Sequence, residues 1–542
     1  MSRRLVLSIG LFGAVLLFGC GASGPSSDAV SAEIQRRVAT PQSSASEVAG
    51  ERLIKPQAVA RFYQARHSAA AWDSRSAAEI VEAIRDVARD GLNPSDYHLA
   101  TIASRMQNGA ASADAGAQAE LDILLTDAVA AIADHLRYGR VAPKSLNSAW
   151  NVDPREGAPP LESTVDEIAR SSSVRRALEG QRPDHFIYRG LVDALARLRD
   201  AESRGGWPTI PAGPKIRPGA QDARVPAIRA RLAMTGELGN GGHGDGVIYD
   251  ASLRRAVMQF QADHRLDSTG VIDPATLQAM NVSPSARAGQ LRVNLERARW
   301  VLGGLKDDFL LVNLPAFKAY LIQGGRNIWE ARTQIGDEAK QTPTFRATLT
   351  TVVFNPDWTV PISILEEELL DDLKAGRNVL EKKGLVLYDS QNQAVDASSI
   401  DWNSVDVDKF PYTLRQPPGP TNALGRVKFL FPNPFSIYLH DTPSRQLFAT
   451  NRRTFSHGCI RLERPLELAE VLLRNQDGWN AAKIQQALST PETQNVDLEH
   501  RIPILIVYWT VSVGASGRVH LNDDIYGLDP PLLTALDAPI VH

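Results

Sequence analysis

The strongest chemical signal in the sequence is a short segment around one of its two cysteines. The segment Ser456-His457-Gly458-Cys459-Ile460-Arg461 places a thiol beside a histidine, a glycine and an arginine. A thiol with a pKa of about 8.5 is only slightly ionised at neutral pH, so a cysteine nucleophile needs a neighbouring base. His457 lies two residues before Cys459, and His440 lies nineteen residues upstream, within reach if a hairpin joins the two segments. The pattern predicts nucleophilic catalysis by Cys459 with one of these histidines as the base.

Two neighbours of Cys459 fit the same chemistry. Gly458 has no side chain, so the backbone there can direct main-chain N–H groups at an oxyanion, and one such donor contributes roughly 3 kcal/mol. The planar guanidinium of Arg461 suits a substrate carboxylate. The alternative interpretation is structural, because an isolated cysteine is commonly a small buried apolar residue and a histidine at a strand end commonly lies on the surface.

The elements that must position these residues have the period of β-strands. From about residue 307 the apolar residues alternate in short runs rich in β-branched and aromatic side chains, and Gly324-Gly325 predicts a hairpin turn. A charged helix at 366–375 and polar loops interrupt the pattern between about residues 364 and 415. We therefore expect a mostly β domain with an insertion before the cysteine segment. The expected strands are residues 309–314, 316–322, 347–354, 427–431, 436–439 and 504–511.

The first half of the chain has helical periodicity. Residues 51–204 contain amphipathic segments such as 76–89 and 117–138, each followed closely by glycine, and they predict a helical domain. A proline- and glycine-rich stretch then precedes a small helical module at residues 219–283. In that module Asp250 is a predicted N-cap and Pro274 a predicted first residue of a helix.

The N-terminus has the layout of an export signal. Two arginines precede an apolar run from Leu5 to Phe18, which is shorter than the roughly 20 residues that span a bilayer as a helix. The run ends in Leu17-Phe18-Gly19-Cys20, which resembles the bacterial lipoprotein box and implies cleavage and lipidation at Cys20. Residues 1–19 are thus a predicted signal peptide and residues 20–50 a predicted flexible linker. The alternative is an ordinary signal peptide with an incidental cysteine.

Length and composition restrict the classes of function. A chain of 542 residues is too long for one core, and its 43% hydrophobic and 22% charged residues are typical of a soluble multidomain protein. The formal net charge of −3 provides no basic field, which argues against nucleic acid as a partner. Cys20 and Cys459 are its only cysteines, and no histidine and cysteine cluster has ligand spacing, so we expect no disulfide, metal or organic cofactor.

The order of residues around the cysteine resembles a known family. Tyr438-Leu439-His440-Asp441-Thr442-Pro443 followed by the Ser456 to Arg461 segment resembles the signature of the L,D-transpeptidase (YkuD-like) catalytic domain, which remodels bacterial peptidoglycan. The resemblance covers most of residues 293–530 and implies a β-sandwich in which residues 364–415 cap the substrate groove.

The resemblance also implies roles for individual residues. Cys459 is the expected nucleophile, and His440 the expected base, oriented by a backbone carbonyl. His457 is expected to shape the catalytic loop, and the N–H groups of Gly458 and Cys459 are the expected oxyanion donors. Substrate positioning is expected from Arg461, Tyr438, Ser456 and Trp358, although Trp358 equally suits packing within the insertion.

Two further segments extend the resemblance. Gly91-Leu92-Asn93-Pro94 and the residues from Arg137 to Val141 resemble the N-terminal region of large, multidomain L,D-transpeptidases. Phe260-Gln261, Gly270 and Asp273 belong to a pattern similar to the three-helix peptidoglycan-binding domain, for which a structural spacer is the alternative. The expected fold class is multidomain α+β, with a helical scaffold, a three-helix module and a β-sandwich catalytic domain.

The implied activity is transfer of a peptidoglycan stem peptide through a Cys459 thioester, with release of terminal D-alanine and formation of a 3→3 cross-link. The alternatives are attachment of an envelope protein to the wall, L,D-carboxypeptidase activity, and a non-catalytic wall-binding lipoprotein. The expected partners are stem peptides, glycan strands and a membrane reached through a lipid on Cys20. The expected location is the periplasm or cell envelope.

Overall fold

A computed structural model describes residues 25–38, 47–107, 114–146, 150–239, 246–305, 307–514 and 517–540. The predicted signal peptide, residues 1–19, and the predicted lipidation site, Cys20, lie outside these ranges. Within them, no helix is both long enough and apolar enough to cross a bilayer.

The N-terminal region is helical, as predicted, and packs around one long buried helix. That helix, α5, is buried on all sides from Leu121 to Leu136 because its apolar residues encircle it. Asp73 and Asp114 cap the starts of α3 and α5 by accepting backbone N–H bonds. The elements of this region are α1 Ser27–Val38, β1 Glu47–Val48, β2 Glu51–Arg52, α2 Pro56–Ala65, α3 Ser74–Asp86, α4 Leu99–Gln107, α5 Ala115–Tyr138, α6 Leu161–Ala169, α7 Val174–Glu179 and α8 Phe186–Ser203.

Helix α1 corrects the prediction that residues 20–50 form a flexible linker. Val30 and Ile34 lie one helical turn apart and are buried in the core of the helical region, where α1 packs on α5. Arg37 of α1 also forms a 3.1 Å ion pair with Glu120 of α5. Two apolar residues one helical turn apart are thus enough to bury one face of a short helix. The small and polar composition of the segment gave no indication of this helix.

The small module has the predicted three helices, and its predicted caps are confirmed. The Asp250 side chain accepts the N–H of Leu253, the Asp273 side chain accepts the N–H of Thr276, and Pro274 occupies the first turn of its helix. The module has its own core, which includes Val257 and Phe260. Its helices are α9 Val225–Met234, α10 Ala251–Asp263 and α11 Pro274–Met280.

Helix α12, Pro284–Leu302, joins the module to the β domain and is almost entirely buried. It packs against α8, and both helices contribute to the core of the β domain. The Arg299 side chain joins α12 to α8 by donating to the Tyr188 hydroxyl, and it forms a 2.6 Å ion pair with Glu296 of its own helix. Helix α8 therefore belongs to the helical region by sequence and to the catalytic core by packing.

The C-terminal domain is built on a sheet that closes on itself. The order of strands is β13-β5-β14-β12-β11-β6-β15-β3-β4, and β4 also pairs with β5, so the two halves of the predicted sandwich are continuous. The predicted hairpin turn at Gly324-Gly325 is present, and both glycines have positive φ. The strands are β3 Phe309–Asn313, β4 Lys318–Gln323, β5 Arg326–Gly336, β6 Phe345–Phe354, β11 Val427–Leu430, β12 Leu439–His440, β13 Thr454–Ser456, β14 Ile460–Leu462 and β15 Gln494–Val507.

A capping module, residues 358–416, is inserted in the chain between β6 and β11, which pair directly in the closed sheet. It has a separate sheet, in the order β7-β10-β8-β9, and a separate core that includes Leu369, Leu387 and Trp402. Its elements are β7 Trp358–Thr359, α13 Ile362–Ile364, a π-helical turn Leu365–Leu369, α14 Leu370–Lys374, α15 Val379–Lys383, β8 Val386–Tyr388, β9 Ala394–Val395 and β10 Thr413–Gln416. The chain ends with α16 Pro465–Leu473, α17 Ala481–Ser489, the hairpin β16 Val511–Val513 and β17 Val519–Leu521, and α18 Asp529–Asp537.

Candidate active site

The two motifs identified in the sequence lie on adjacent strands that run parallel. In the register of β12 and β14, Leu439 pairs with Ile460 and His440 pairs with Arg461. The prediction that a hairpin joins the two segments is therefore wrong. The nineteen intervening residues form a crossover that returns the chain in the same direction.

The register also sorts the side chains between the two faces of the sheet. Leu439 and Ile460 are completely buried in the core. Because side chains alternate along a strand, Tyr438 and His440 share the opposite face with Cys459 and Arg461. Four of the predicted site residues are thus brought together by one strand pair.

Cys459 is half-buried, and its sulfur lies 3.8 Å from the carbonyl oxygen of Ser436. Burial raises the pKa of the thiol, while hydrogen bonds from the backbone and side chain of Tyr438 and the charges of Lys428 and Arg461 act in the opposite direction. Burial dominates, so the sulfur is a neutral thiol at neutral pH.

His440 is buried and held in one orientation. Its Nδ1 lies 2.5 Å from the carbonyl oxygen of Asp441, which assigns the ring proton to Nδ1 and leaves a lone pair on Nε2. The ring also contacts the Tyr438 ring edge-to-face, with 5.6 Å between the centroids. Burial lowers the pKa of His440 to about 3, and the charges of Arg461 and Lys428 add to this effect. The imidazole is therefore a neutral proton acceptor.

The side chain of Asp441 has a structural role and does not itself orient the His440 ring. It accepts the Arg426 N–H at 2.9 Å and the Arg445 guanidinium at 2.6 Å. A Cβ on Gly425 would meet its carboxylate at 2.4 Å, so the chain approaches Asp441 closely only because that residue is glycine. The buried carboxylate fixes the backbone whose carbonyl orients His440.

Lys428 belongs to this site and was missed in the sequence. It lies on β11 directly opposite His440, and its Nζ is 3.9 Å from the centroid of the Tyr438 ring. Burial lowers the pKa of the ammonium group, and the charges of Cys459 and Asp357 oppose that shift. The alternation of side chains in β11 could have identified Lys428, because the buried Val427 and Phe429 put the lysine on the same face of the sheet as His440.

The turn before Cys459 corrects two predictions. The Gly458 N–H donates to Ser456 Oγ at 3.2 Å, so it is not available as an oxyanion donor. The Ser456 hydroxyl donates in turn to the carbonyl of Cys459 at 2.5 Å, so it holds the turn rather than the substrate. The φ of +113° at Gly458 still requires glycine. The Cys459 N–H has no acceptor within the described ranges, which leaves it as a free donor.

His457 points to the capping module. Its Nε2 lies 2.6 Å from Oε1 of Glu368 in the π-helical turn, and the neighbouring Glu367 forms an ion pair with Lys340. Trp358 is half-buried and packs against the core of the capping module, which supports packing as its role.

Arg461 has unused hydrogen-bonding capacity. Its Nη1 lies 3.3 Å from Oε1 of Gln334, while its Nε is buried and has no partner among the described residues. Burial lowers the pKa of the guanidinium, and the charges of Cys459 and Glu368 oppose that shift. The group therefore presents an incompletely satisfied cation beside the sulfur.

Three models of protein domains match parts of the chain. Residues 307–485 match the model of the L,D-transpeptidase (YkuD) catalytic domain, residues 221–280 match that of a "putative peptidoglycan binding domain", and residues 57–195 match that of a scaffold domain. The chain therefore carries an L,D-transpeptidase catalytic domain together with a peptidoglycan-binding domain.

One curated relative and one solved structure are similar to parts of the chain. A protein of Haemophilus influenzae named "Putative L,D-transpeptidase" is 36% identical over 243 residues, which cover 44% of this chain and 48% of the relative. The match thus spans about half the length of that protein. The crystal structure of an L,D-transpeptidase from Xylanimonas cellulosilytica, residues 123–326, is 13% identical and aligns with 55% of this chain and 99% of its own, with a TM-score of 0.17.

Proposed function

We propose that the protein forms 3→3 cross-links in peptidoglycan through a thioester on Cys459. The observation that carries the proposal is the shared face of β12 and β14, which holds a thiol, a neutral imidazole with a free lone pair and a guanidinium side by side. The match of this domain to the L,D-transpeptidase model supports the same chemistry.

The first half-reaction breaks one peptide bond and forms a thioester. The Cys459 sulfur attacks the carbonyl carbon of the third stem residue, a diamino acid, while His440 Nε2 takes the thiol proton. The Cys459 N–H, and the cation of Lys428 nearby, stabilise the negative oxygen of the tetrahedral intermediate. When the intermediate collapses, the C–N bond breaks, and His440 returns the proton to the amine of the departing D-alanine.

The second half-reaction reverses these steps with another nucleophile. The side-chain amine of a second stem attacks the thioester carbonyl and gives a proton to His440. The C–S bond then breaks, and the sulfur regains a proton as the new amide forms. Burial keeps the His440 imidazole neutral in the free enzyme, so the lone pair on Nε2 is available as the proton acceptor in both steps.

Arg461 and the capping module account for substrate binding in this proposal. The partnerless Nε of Arg461 suits a carboxylate of the stem peptide. The capping module contacts the catalytic loop through Glu368 and His457, and we place it over the bound stem, where it excludes water from the thioester.

Three alternative functions use the same site or none. Attachment of an envelope protein uses a protein amine as the acceptor, and L,D-carboxypeptidase activity uses water. A non-catalytic scaffold uses only the peptidoglycan-binding domain, and the free Nε2 of His440 beside a reduced thiol disfavours it.

The location proposed is the cell envelope, with a lipid on Cys20 as the anchor. The proposal rests on the signal sequence and on the peptidoglycan-binding domain. We expect Cys20→Ser to move the mature protein from the membrane fraction to the soluble periplasmic extract or to leave it unprocessed. A mature form of that variant that still requires detergent would rule the anchor out.

The decisive experiment incubates the purified protein with disaccharide-tetrapeptides and analyses the products by mass spectrometry. The proposal expects tripeptide–tetrapeptide dimers and one free D-alanine for each cross-link. Disaccharide-tripeptides and D-alanine without dimers would instead identify a carboxypeptidase. The Cys459→Ala variant should give neither product.

A further inference from the structure

A cavity lies away from Cys459, where the helical region, the small module and the catalytic domain meet. Its volume is about 580 Å³, which is within the range of small-ligand sites. Helix α8, Trp207, the ends of α9 and α10, the start of α12, and the described residues from Gly517 to Leu521 line it. No residue that lines this cavity belongs to the cysteine site.

Two of the arginines that line this cavity, Arg231 and Arg287, have no carboxylate within ion-pair distance among the described residues. The Arg231 guanidinium lies 3.8 Å from the centroid of the Trp207 ring and donates to the Met280 carbonyl. The Arg287 guanidinium donates to Gln290 at 3.0 Å, and its Nε is buried without a partner. Burial lowers the pKa of each to about 10. The carboxylates of Glu237 and Asp523 act to raise the pKa values of Arg231 and Arg287 respectively without forming an ion pair with them, so both guanidinium groups keep capacity for a bound anion.

His264 adds a buried acceptor to the same wall. Its Nδ1 lies 2.8 Å from the Phe260 carbonyl oxygen, which places the ring proton on Nδ1, and its ring stacks on Phe260. Its Nε2 is buried and has no partner within the described part of the chain. Burial lowers the pKa of His264 to about 3, so the ring is neutral and Nε2 is an acceptor for a hydrogen bond from an N–H or O–H group.

The acidic groups of the wall form no ion pair with these two arginines among the described residues. Asp263 is held by Arg518 and His520, each at 3.2 Å. Glu237 accepts the Thr235 hydroxyl, and burial raises the pKa of its carboxyl group. The rest of the wall includes the apolar side chains of Leu291, Val519 and Leu521 and the indole of Trp207.

We propose that this cavity binds a muramyl peptide of the cell wall, with a carboxylate on Arg231 and Arg287 and an amide N–H or hydroxyl on His264. The ligand chemistry follows from the two cations, the partnerless acceptor and the apolar wall. The inference rests on the proposed function only in taking peptidoglycan as the substrate. It gives the peptidoglycan-binding domain a ligand site that includes residues of the domains on either side.

Calorimetric titration of the full-length protein with a disaccharide-tripeptide tests the site, because this probe lacks the terminal D-alanine and cannot acylate Cys459. We expect Arg287→Gln to weaken binding about tenfold or more, the range of a lost charged hydrogen bond. Arg255→Gln is the matched control, because Arg255 is exposed on α10 and does not line the cavity. Its affinity should equal that of the wild type.

A second variant avoids any change in the buried wall. Met234 is 37% exposed at the rim of the cavity, so Met234→Glu adds a negative charge there and should also weaken binding. Unchanged affinity in both variants, or equal losses in Arg287→Gln and Arg255→Gln, would overturn the proposal.

Two additional measurements show which part of the ligand binds and distinguish this site from the proposed catalytic function. The free tripeptide carries the carboxylates without the sugars, so it should bind and lose affinity in Arg287→Gln, whereas an uncharged N-acetylglucosamine disaccharide should not bind. Equal binding of that disaccharide would contradict a carboxylate site. Acylation of Cys459 should keep its wild-type rate in Arg287→Gln, so a failure of catalysis and a failure of this site give different results.

Discussion

The strand pair that carries Cys459 and the capping module beside it are anchored in different ways. Strands β12 and β14 have partners on both sides in the closed sheet, and Leu439 and Ile460 fix them to the core. The capping module has its own sheet and core, and two of its glutamates contact Lys340 and His457 of the catalytic domain. In the pair between His457 and Glu368 more than a third of each side chain is exposed.

The difference lies in how firmly the two regions are held: the strand pair by the sheet itself, and the capping module by exposed side-chain contacts. Catalytic geometry set by a backbone ladder between buried residues is costly to distort. Exposed contacts of this kind contribute only about 0–1 kcal/mol each, so these two contacts hold the capping module to the catalytic domain weakly. This division fits the proposed reaction, in which two stem peptides bind in turn and water is excluded from the thioester.

The largest predicted effect concerns the two histidines. His440→Ala should slow acylation of Cys459 by roughly 10²–10⁴, because it removes the proton acceptor on the fixed strand pair. His457→Ala, which removes a contact to the capping module, should cost much less. Rates measured with a stem tetrapeptide or a carbapenem decide this, and the reverse order of losses would exchange the two roles.

The pH dependence sharpens the same prediction. Because the pKa of His440 is lowered to about 3, its imidazole accepts a proton throughout the neutral and mildly acidic range. The acylation rate of the wild type should therefore show no acid limb near pH 6.5, and loss by protonation of His440 should begin only below about pH 4. An inflection near 6.5 that disappears in His440→Ala would contradict the account.

The next effect compares the two cores. Leu439→Ala should destabilise the catalytic domain by about 2–5 kcal/mol, the usual cost of a buried leucine. Leu387→Ala, which is equally buried in the capping module, should instead release local hydrogen-exchange protection in residues 358–416. A global loss of protection in Leu387→Ala would mean that the capping module and the closed sheet unfold as one unit.

A smaller effect is expected for the lysine opposite His440. Lys428→Met removes a charge that lowers the pKa of Cys459, so the thiol should ionise at higher pH and acylation should fall about tenfold. Alkylation of Cys459 by iodoacetamide between pH 6 and 11 measures the shift. Lys409→Met is the control, because Lys409 is exposed in the capping module. A profile unchanged by Lys428→Met would remove this lysine from the site.

The smallest effect should come from the contact between the loop and the capping module. Glu368→Gln weakens the contact with His457, and we expect a change of up to about fivefold in acylation by a stem peptide, matched to an exposed ion pair. Glu366→Gln is the control, because that residue is also exposed in the π-helical turn. A loss as large as that of His440→Ala would mean that Glu368 belongs to the catalytic machinery.

Local signals in the sequence predicted much of this fold. Asp250 and Asp273 were identified as caps, and Gly324-Gly325 as a turn, because each depends only on neighbouring residues. The parallel pairing of β12 with β14 depends on residues far apart in the chain, so a hairpin was expected instead. The helix α1 was missed because its burial comes from α5 rather than from its own composition.

The candidate site divides in the same way. Cys459 and His440 were predicted from residue type and spacing, whereas Lys428 joins them only through the register of β11. The hydroxyl of Ser456 and the N–H of Gly458 were assigned to substrate and oxyanion because a motif does not specify its internal hydrogen bonds. In the structure these two groups bond within the turn.

The most direct test of the account is the mass of the protein during reaction with a donor tetrapeptide, stopped in acid, followed by peptide mapping. We predict a mass increase equal to the tetrapeptide minus one D-alanine, located on the peptide that contains Cys459 and reversed by hydroxylamine. His440→Ala should form the same adduct slowly, and Cys459→Ala should form none. An adduct on any other residue, or full cross-linking by Cys459→Ala, would contradict the account.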